Sequence, residues 1–179
     1  MLGNIDRLVI NYTNARKSWE SWCFLNNLHL KNSKPEIIYY VLNNKLLSHL
    51  RFLSLKDFQI ELYKILKDSK NNKDNIYRLL KEIPEGDSRK SSADKNLLDL
   101  ANHKKFIMEI IDIRDKFYAH LDKDFKLYIG KEKLVSDLYR CFELIEESII
   151  TLTSLEYLMN CLAGITSRDD FELNINVNN

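Results

Sequence analysis

An arginine and a histidine near the middle of the chain, Arg114 and His120, are separated by five residues. The guanidinium group of arginine can hold two phosphate oxygens with paired N–H donors. Histidine is the side chain best suited to proton transfer near neutral pH. Together they could assist a ribose 2′-hydroxyl that attacks the adjacent phosphorus, with histidine moving the proton and arginine stabilising charge on the phosphate oxygens.

Arg114 falls within an apolar stripe when each residue is given a helical step of about 100°. An arc of roughly 120° contains it together with Ile107, Ile110, Ile111, Phe117, Tyr118 and Leu121. All neighbours three and four residues from Arg114 are apolar, so no carboxylate on its own helix is expected to pair with it. Because an unpaired guanidinium there would cost several kcal/mol, we expect a partner on another helix, a second subunit, or a bound anion such as phosphate.

The neighbours of this pair allow more than one interpretation. Asp115 lies outside the arc and is either solvated or orients Arg114 or His120, whereas Tyr118 lies on the arc and is predicted to be core. His120 alone could be a helix-end residue that bonds a carbonyl or packs against Phe117. Six helical steps place His120 about 120° from Arg114, so one straight helix does not aim both side chains at one atom. Either the helix unwinds near Ala119, or two copies of the motif face each other across a dimer.

Apolar residues recur at spacings of three and four along most of the chain, which predicts helices rather than strands. The first predicted helix covers Ile5 to Leu28, and the second begins at Pro35 and extends to Leu53. A third segment, about Leu55 to Leu66, is expected to continue the second after a bend. The remaining predicted helices cover Ile76 to Ile83, Asp94 to about Leu121, and Lys131 to about Cys161. The stretches 67–74 and 84–94 are predicted to be a solvated segment and a loop. The sequence therefore predicts an all-α antiparallel bundle of four to five main helices, in one domain over residues 1–165, with a frayed tail over 166–179.

Composition narrows the classes of function. The 179 residues are 45% hydrophobic and 30% charged with a net charge of +1, which favours a globular protein and argues against nonspecific coating of nucleic acid. Residues 130–179 hold 4 of the 27 basic and 9 of the 26 acidic side chains, so the basic excess lies on the part with Arg114 and His120. The three cysteines form no C-x-x-C pair, and no signal-peptide core or membrane span is visible. We expect a cytoplasmic protein.

No cofactor or metal site is expected. His29, His49 and His103 lack the spacing of zinc ligands, and no glycine-rich nucleotide loop occurs. Glu146 and Glu147 are adjacent on a helix and are predicted to lie on a solvated face. The Trp and Tyr residues of the first helix are predicted to be core rather than a base-stacking platform.

The string IRDKFYAHLDKD resembles the signature of the HEPN superfamily, an arginine followed after four to six residues by a histidine, often with a polar residue directly after the arginine. Within that superfamily it is most similar to the AbiU2-like branch, in which R-D-K is followed by A-H and by an aspartate two residues later, here Asp122. The layout of long helix, motif, turn and long helix is similar over about residues 1–160. In the branch controlled by nucleotidyltransferase antitoxins a tyrosine stands where this chain has Asp122, which argues against that mode of regulation.

The resemblance implies a metal-independent endoribonuclease that is commonly dimeric and serves in toxin–antitoxin or phage-defence systems. It implies catalytic roles for Arg114 and His120 in a composite dimer cleft, supported by Asp115, Tyr118 and Asp122, with RNA as substrate and an antitoxin or defence-system protein as partner. Two alternatives stay open. One is a noncatalytic module of the same type that binds RNA or protein through this groove, and the other is a helical scaffold subunit.

Overall fold

The computed structural model describes residues 2–28, 34–69, 71–112, 114–115 and 131–163. Within these ranges the chain forms eight helices and no strand. They are α1 Leu2–Asn27, α2 Pro35–Asn43, α3 Lys45–Leu66, α4 Ile76–Lys81, α5 Lys90–Asn102, α6 Lys104–Asp112, α7 Lys131–Leu152 and α8 Leu155–Leu162. The predicted all-α class is therefore confirmed for the described residues.

Helices α1 and α3 pack against each other more extensively than any other pair of helices in the described structure. The Trp19 ring on α1 lies 5.1 Å from the ring of Phe58 on α3. Arg7, near the start of α1, pairs at 3.6 Å with Asp74, which lies in the segment that leads from the end of α3 to α4. These two contacts show that α1 and α3 run antiparallel.

One cluster of buried apolar side chains joins α1, the C-terminal half of α3, and α4 to α8. Tyr12 and Trp19 of α1 belong to it, which confirms their predicted place in the core, and Trp22 is half-buried against it. Phe142 of α7 packs edge-on against Phe58, Tyr12 and Trp19 at ring-centroid distances of 5.9 to 6.4 Å. The burial of these large rings supplies much of the hydrophobic free energy of folding.

Three helices expected to be long are each divided in two. The break between α2 and α3 falls at Asn44, not near Leu53, because the Asn44 side chain accepts a hydrogen bond from the Leu47 amide at 3.0 Å and caps α3. In the same way Ser154 caps α8 through the Tyr157 amide at 3.1 Å and ends the last predicted helix early. His103 separates α5 from α6, so the described part of the helix predicted from Asp94 to about Leu121 is not one continuous helix.

The expected loop over 84–94 is shorter than predicted. It contains Gly86, whose φ of 87° is a backbone conformation that glycine adopts at no steric cost. Helix α5 already begins at Lys90, which pairs with Asp94 one turn later at 3.1 Å. Asp94 is therefore inside α5 and is not its cap. None of the helices in the described ranges is both long and apolar enough to cross a membrane.

Candidate functional site

Helix α6 carries the apolar stripe that leads to the arginine of the motif. Phe106, Ile107, Ile110 and Ile111 are buried, as their spacing predicted. Beyond α6, Arg114 and Asp115 adopt a π-helical turn, in which the chain is wider than in an α-helix. The buried stripe packs α6 against the core, and the wider turn places these two charged side chains at the C-terminal end of α6.

Asp115 bridges two cations. Its Oδ1 accepts a hydrogen bond from an Arg114 terminal nitrogen at 2.8 Å, and its Oδ2 accepts one from Lys67 Nζ at 2.9 Å. Because Lys67 directly follows α3, this carboxylate ties the turn after α6 to the end of α3. The side chains of Arg114, Lys67 and Asp115 are 33%, 34% and 32% exposed, so solvent still reaches the bridge.

Tyr63, one helical turn before Lys67, forms the platform of the site. The Arg114 guanidinium carbon lies 4.2 Å from the centre of the Tyr63 ring, and Lys67 Nζ lies 4.6 Å from it. Both distances are within the range of an attractive cation–π contact. Tyr63 therefore holds two cations beside a single carboxylate, and this group of Tyr63, Lys67, Arg114 and Asp115 is called the arginine cluster below.

The electrostatics of the arginine cluster follow from these contacts. Partial burial tends to raise the pKa of Asp115, but hydrogen bonds from Lys67 and Arg114 outweigh it and lower this pKa below its ordinary value. Hydrogen bonding to Tyr63 and to Asp115 raises the pKa of the Lys67 amine. The cluster thus holds two positive charges and one negative charge at neutral pH. Because the guanidinium has five N–H donors, the contact with Asp115 occupies only a part of its capacity.

The expectation that no carboxylate on the helix of Arg114 would pair with it was wrong, because Asp115 does so. It assumed an unbroken α-helix, in which adjacent residues point in different directions. The π-helical turn changes that spacing, and the long arginine side chain reaches the carboxylate of the next residue. Asp115 orients Arg114, which was one of its two predicted roles.

Of the five residues predicted for the site, Arg114 and Asp115 are brought together. Tyr118, His120 and Asp122 lie outside the described residues, as does the predicted tail over 166–179. Sequence reasoning missed Tyr63 and Lys67, and it assigned Lys67 to a solvated stretch. The available signal was the spacing of four residues between an aromatic and a basic side chain at the end of a predicted helix, but nothing local indicated what would pack against it.

A second charged cluster connects α1 and α7. Glu146 Oε1 accepts hydrogen bonds from the Tyr12 hydroxyl and from Arg16, the latter at 3.2 Å. Arg16 also lies 4.8 Å above the Phe142 ring and 3.6 Å from Glu20. The prediction that Glu146 lies on a solvated face was wrong, because α1 packs across that side of α7. Desolvation by burial is the main cause that raises the pKa of Tyr12, so its hydroxyl stays a hydrogen-bond donor.

These two clusters differ in what they can do chemically. Arg16 is already surrounded by Tyr12, Glu20 and Glu146, so its charge is compensated from within the fold. The arginine cluster keeps an excess of positive charge at the surface and can therefore attract an anion. Comparison of the chain with protein-family models, with curated proteins and with solved structures found no match.

Proposed function

We propose that the chain is a metal-independent endoribonuclease and that it acts as a toxin or phage-defence effector. In this proposal Arg114 stabilises the charge that develops on the scissile phosphate, and His120 transfers the proton of the attacking 2′-hydroxyl or of the leaving oxygen. The fold is proposed to be a HEPN-like helical bundle in a cytoplasmic homodimer, with RNA as substrate and an antitoxin or defence-system protein as partner.

The observation that carries the proposal is the exposure of Arg114 together with its contacts to Tyr63 and Asp115. Its side chain is one-third exposed, its guanidinium carbon lies 4.2 Å from the centre of the Tyr63 ring, and one of its donors bonds to Asp115. A guanidinium held in this way loses little conformational entropy when it binds a phosphate, and Lys67 adds a second cation beside it. Both features favour a group that binds an anion at the surface of the protein.

The noncatalytic alternative rests on a different feature of the same cluster. Asp115 joins Arg114 and Lys67, so the cluster also anchors the end of α6 to α3. A noncatalytic role would need no histidine nearby, and the same surface could bind RNA or a partner protein without cleaving it.

A cleavage assay with purified protein and end-labelled RNA in EDTA separates these functions. We expect the parent to cleave and to leave 2′,3′-cyclic phosphate ends. His120→Ala should lower the rate by about 10² to 10⁴-fold. Arg114→Lys should also fail, because lysine keeps the charge but loses the planar fork that holds two oxygens.

Arg140→Lys is the matched control for the arginine variant. Arg140 lies on α7 with a side chain that is 42% exposed and pairs with Glu143 at 2.8 Å, so its replacement should leave the cleavage rate unchanged. Equal cleavage by the parent, Arg114→Lys and His120→Ala would contradict the mechanism, as would loss of activity in EDTA. A parent that binds RNA in a gel-shift assay but never cleaves it would support the noncatalytic alternative.

A further inference from the structure

The proposed mechanism gives a step to Arg114 and to His120 but none to Lys67, the second cation of the arginine cluster. Lys67 directly follows α3, and its backbone N–H donates to the carbonyl oxygen of Tyr63 at 3.0 Å. The backbone of Lys67 is therefore held by the last turn of α3, while its side chain is 34% exposed. A lysine placed in this way has a fixed origin and an ammonium group that a ligand can reach.

The charge of Lys67 is only partly compensated within the described structure. Asp115 pairs with Lys67 at 2.9 Å, but the same carboxylate also pairs with Arg114 at 2.8 Å. One negative charge therefore serves two cations. The cluster keeps one uncompensated positive charge, which attracts an anion.

The carboxylates closest to Lys67 in sequence do not supply the missing negative charge. In the described ranges Glu61 pairs with Lys64 at 2.6 Å, and Asp68 pairs with Lys81 at 3.2 Å. Each of these two lysines thus has a carboxylate of its own, whereas Lys67 shares one. A phosphate of a bound strand can supply the charge that the fold does not.

The ammonium group of Lys67 also keeps hydrogen-bonding capacity. An ammonium group has three N–H donors. Among the described residues, Asp115 accepts a hydrogen bond from it at 2.9 Å, and the centre of the Tyr63 ring lies 4.6 Å from its nitrogen. These two contacts engage two donors at most, so a third can bind a phosphate oxygen while the contact with Asp115 stays in place.

The two cations of the cluster are spaced so that one strand can contact both. The Arg114 guanidinium carbon and Lys67 Nζ lie 4.2 and 4.6 Å from the centre of the same Tyr63 ring, so they are less than about 9 Å apart. A strand of a B-form duplex carries one phosphate for roughly every 3.4 Å of its axis. A phosphodiester has two oxygens outside the chain, and the fork of Arg114 holds both in the proposed mechanism. The neighbouring phosphate therefore remains for Lys67.

We infer that Lys67 binds the phosphate next to the scissile one, so that the substrate is a strand that extends beyond the two nucleotides at the cut. The inference rests on the proposed function, because it takes RNA as the substrate and places Arg114 at the scissile phosphate. It adds a residue from the end of α3 to a site that the sequence placed within residues 114–122.

The first test measures binding without cleavage. A short fluorescent RNA with 2′-O-methyl groups lacks the attacking hydroxyl, and fluorescence anisotropy gives its Kd at several salt concentrations. Loss of one phosphate contact lowers the slope of log Kd against log salt by about 0.7 for a single strand. We expect Lys67→Gln to lower the slope by this amount and to raise the Kd by about 3- to 10-fold. Lys67→Arg keeps the charge and should bind like the parent.

Lys64→Gln is the matched control for the binding test. Lys64 lies about one turn earlier, in the last turn of α3, with a side chain that is 46% exposed, and Glu61 compensates its charge. Its replacement should leave the slope unchanged. Circular dichroism establishes that Lys67→Gln is folded, and Lys67→Met, which keeps an aliphatic stem beside the Tyr63 ring, replaces it if it is not.

The second test separates a phosphate contact from mere support of Arg114. The kcat/KM is measured for a dinucleoside monophosphate and for the same molecule with a terminal phosphate at its 5′ or its 3′ end. The parent should prefer one phosphorylated form by about 3- to 10-fold, and Lys67→Gln should cleave all forms with the same kcat/KM. A residue that only supported Arg114 would slow every form equally and would leave the preference intact.

The two tests keep this inference apart from the proposed function. A parent that binds the 2′-O-methyl strand with the slope that Lys67 supplies but cleaves no RNA would contradict the proposed function and still support the phosphate contact. An unchanged slope in Lys67→Gln, an equal loss in Lys64→Gln, or a preference for the terminal phosphate that survives Lys67→Gln would each overturn the inference.

Discussion

Replacement of Asp115 by asparagine removes the one negative charge of the arginine cluster while keeping nearly the same side-chain volume. The carboxylate bridges Lys67 and Arg114 at 2.9 and 2.8 Å. In the variant both cations remain beside the Tyr63 ring, and only neutral hydrogen-bonding groups are left between them. We therefore expect Asp115→Asn to lower the free energy of unfolding.

The magnitude follows from the exposure of the bridge. A protected hydrogen bond to a charged group contributes about 1.5 to 3 kcal/mol, whereas an exposed ion pair contributes about 0.2 to 1 kcal/mol. Because the side chains of the bridge are about one-third exposed, we take about 0.5 kcal/mol for each of the two lost ionic contacts. The two cations stand less than about 9 Å apart, and their uncompensated repulsion adds about 0.5 kcal/mol. The total is about 1.5 kcal/mol.

Urea denaturation at pH 7 measures this loss, and we expect the midpoint to fall by about 0.7 M. Asp68→Asn is the matched control, because Asp68 pairs with Lys81 at 3.2 Å with both side chains 58% exposed. It should cost less than about 0.5 kcal/mol.

The pH dependence gives an independent check of the cause. The pKa of Asp115 in the fold lies below its ordinary value of 3.8. The stabilisation is therefore complete above pH 3.8 and is lost as the pH falls through the lower pKa of the folded protein. The difference between the parent and Asp115→Asn should narrow from pH 7 to pH 3. A loss no larger than that of Asp68→Asn, or a difference that stays constant with pH, would refute the reasoning.

Two further predictions concern the packing of α7. Glu146→Gln should lower the free energy of unfolding by about 1 to 2 kcal/mol in urea denaturation, because Arg16 then keeps only the more distant carboxylate of Glu20. The control is Glu143→Gln, on the exposed side of α7, which should cost less than about 0.5 kcal/mol. Burial raises the pKa of Cys141 to about 12, so this thiol should not react with a disulfide reagent at pH 8 in the native protein and should react once urea unfolds it. Rapid labelling of Cys141 in the native state would contradict the placement of α7.

The sequence predicted which segments are helical better than it predicted where the helices end. The stripe of Ile107, Ile110 and Ile111 is buried as its spacing required. The breaks at Asn44 and Ser154 were missed because the apolar spacing continues across them, while the capping side chains that end the helices are single polar residues. A periodic pattern indicates which face of a helix is apolar, but it does not indicate whether the helix continues without a break between two apolar residues.

The arginine cluster shows the same limit at the level of tertiary structure. The sequence motif indicated both Arg114 and Asp115, because the two residues are adjacent in the chain. Tyr63, in the last turn of α3, and Lys67, directly after it, lie about fifty residues earlier, and their position depends on how α3 packs against α6. Local spacing carries no information on that packing, so the aromatic platform under the guanidinium could not be predicted.

The uneven burial along α3 has a consequence for local opening of the backbone. Residues 58, 62, 65 and 66 of α3 lie in the core, whereas every described residue of α3 before Phe58 is exposed or half-buried. Amide hydrogens in the last two turns should exchange with solvent only when the whole protein unfolds, and those in the first turns should exchange through local fraying. A single helix thus connects a slowly exchanging half, next to the arginine cluster, with a half whose amides exchange fast. Exchange rates along α3 would therefore record both the global unfolding of the core and the local opening of the first turns in one measurement.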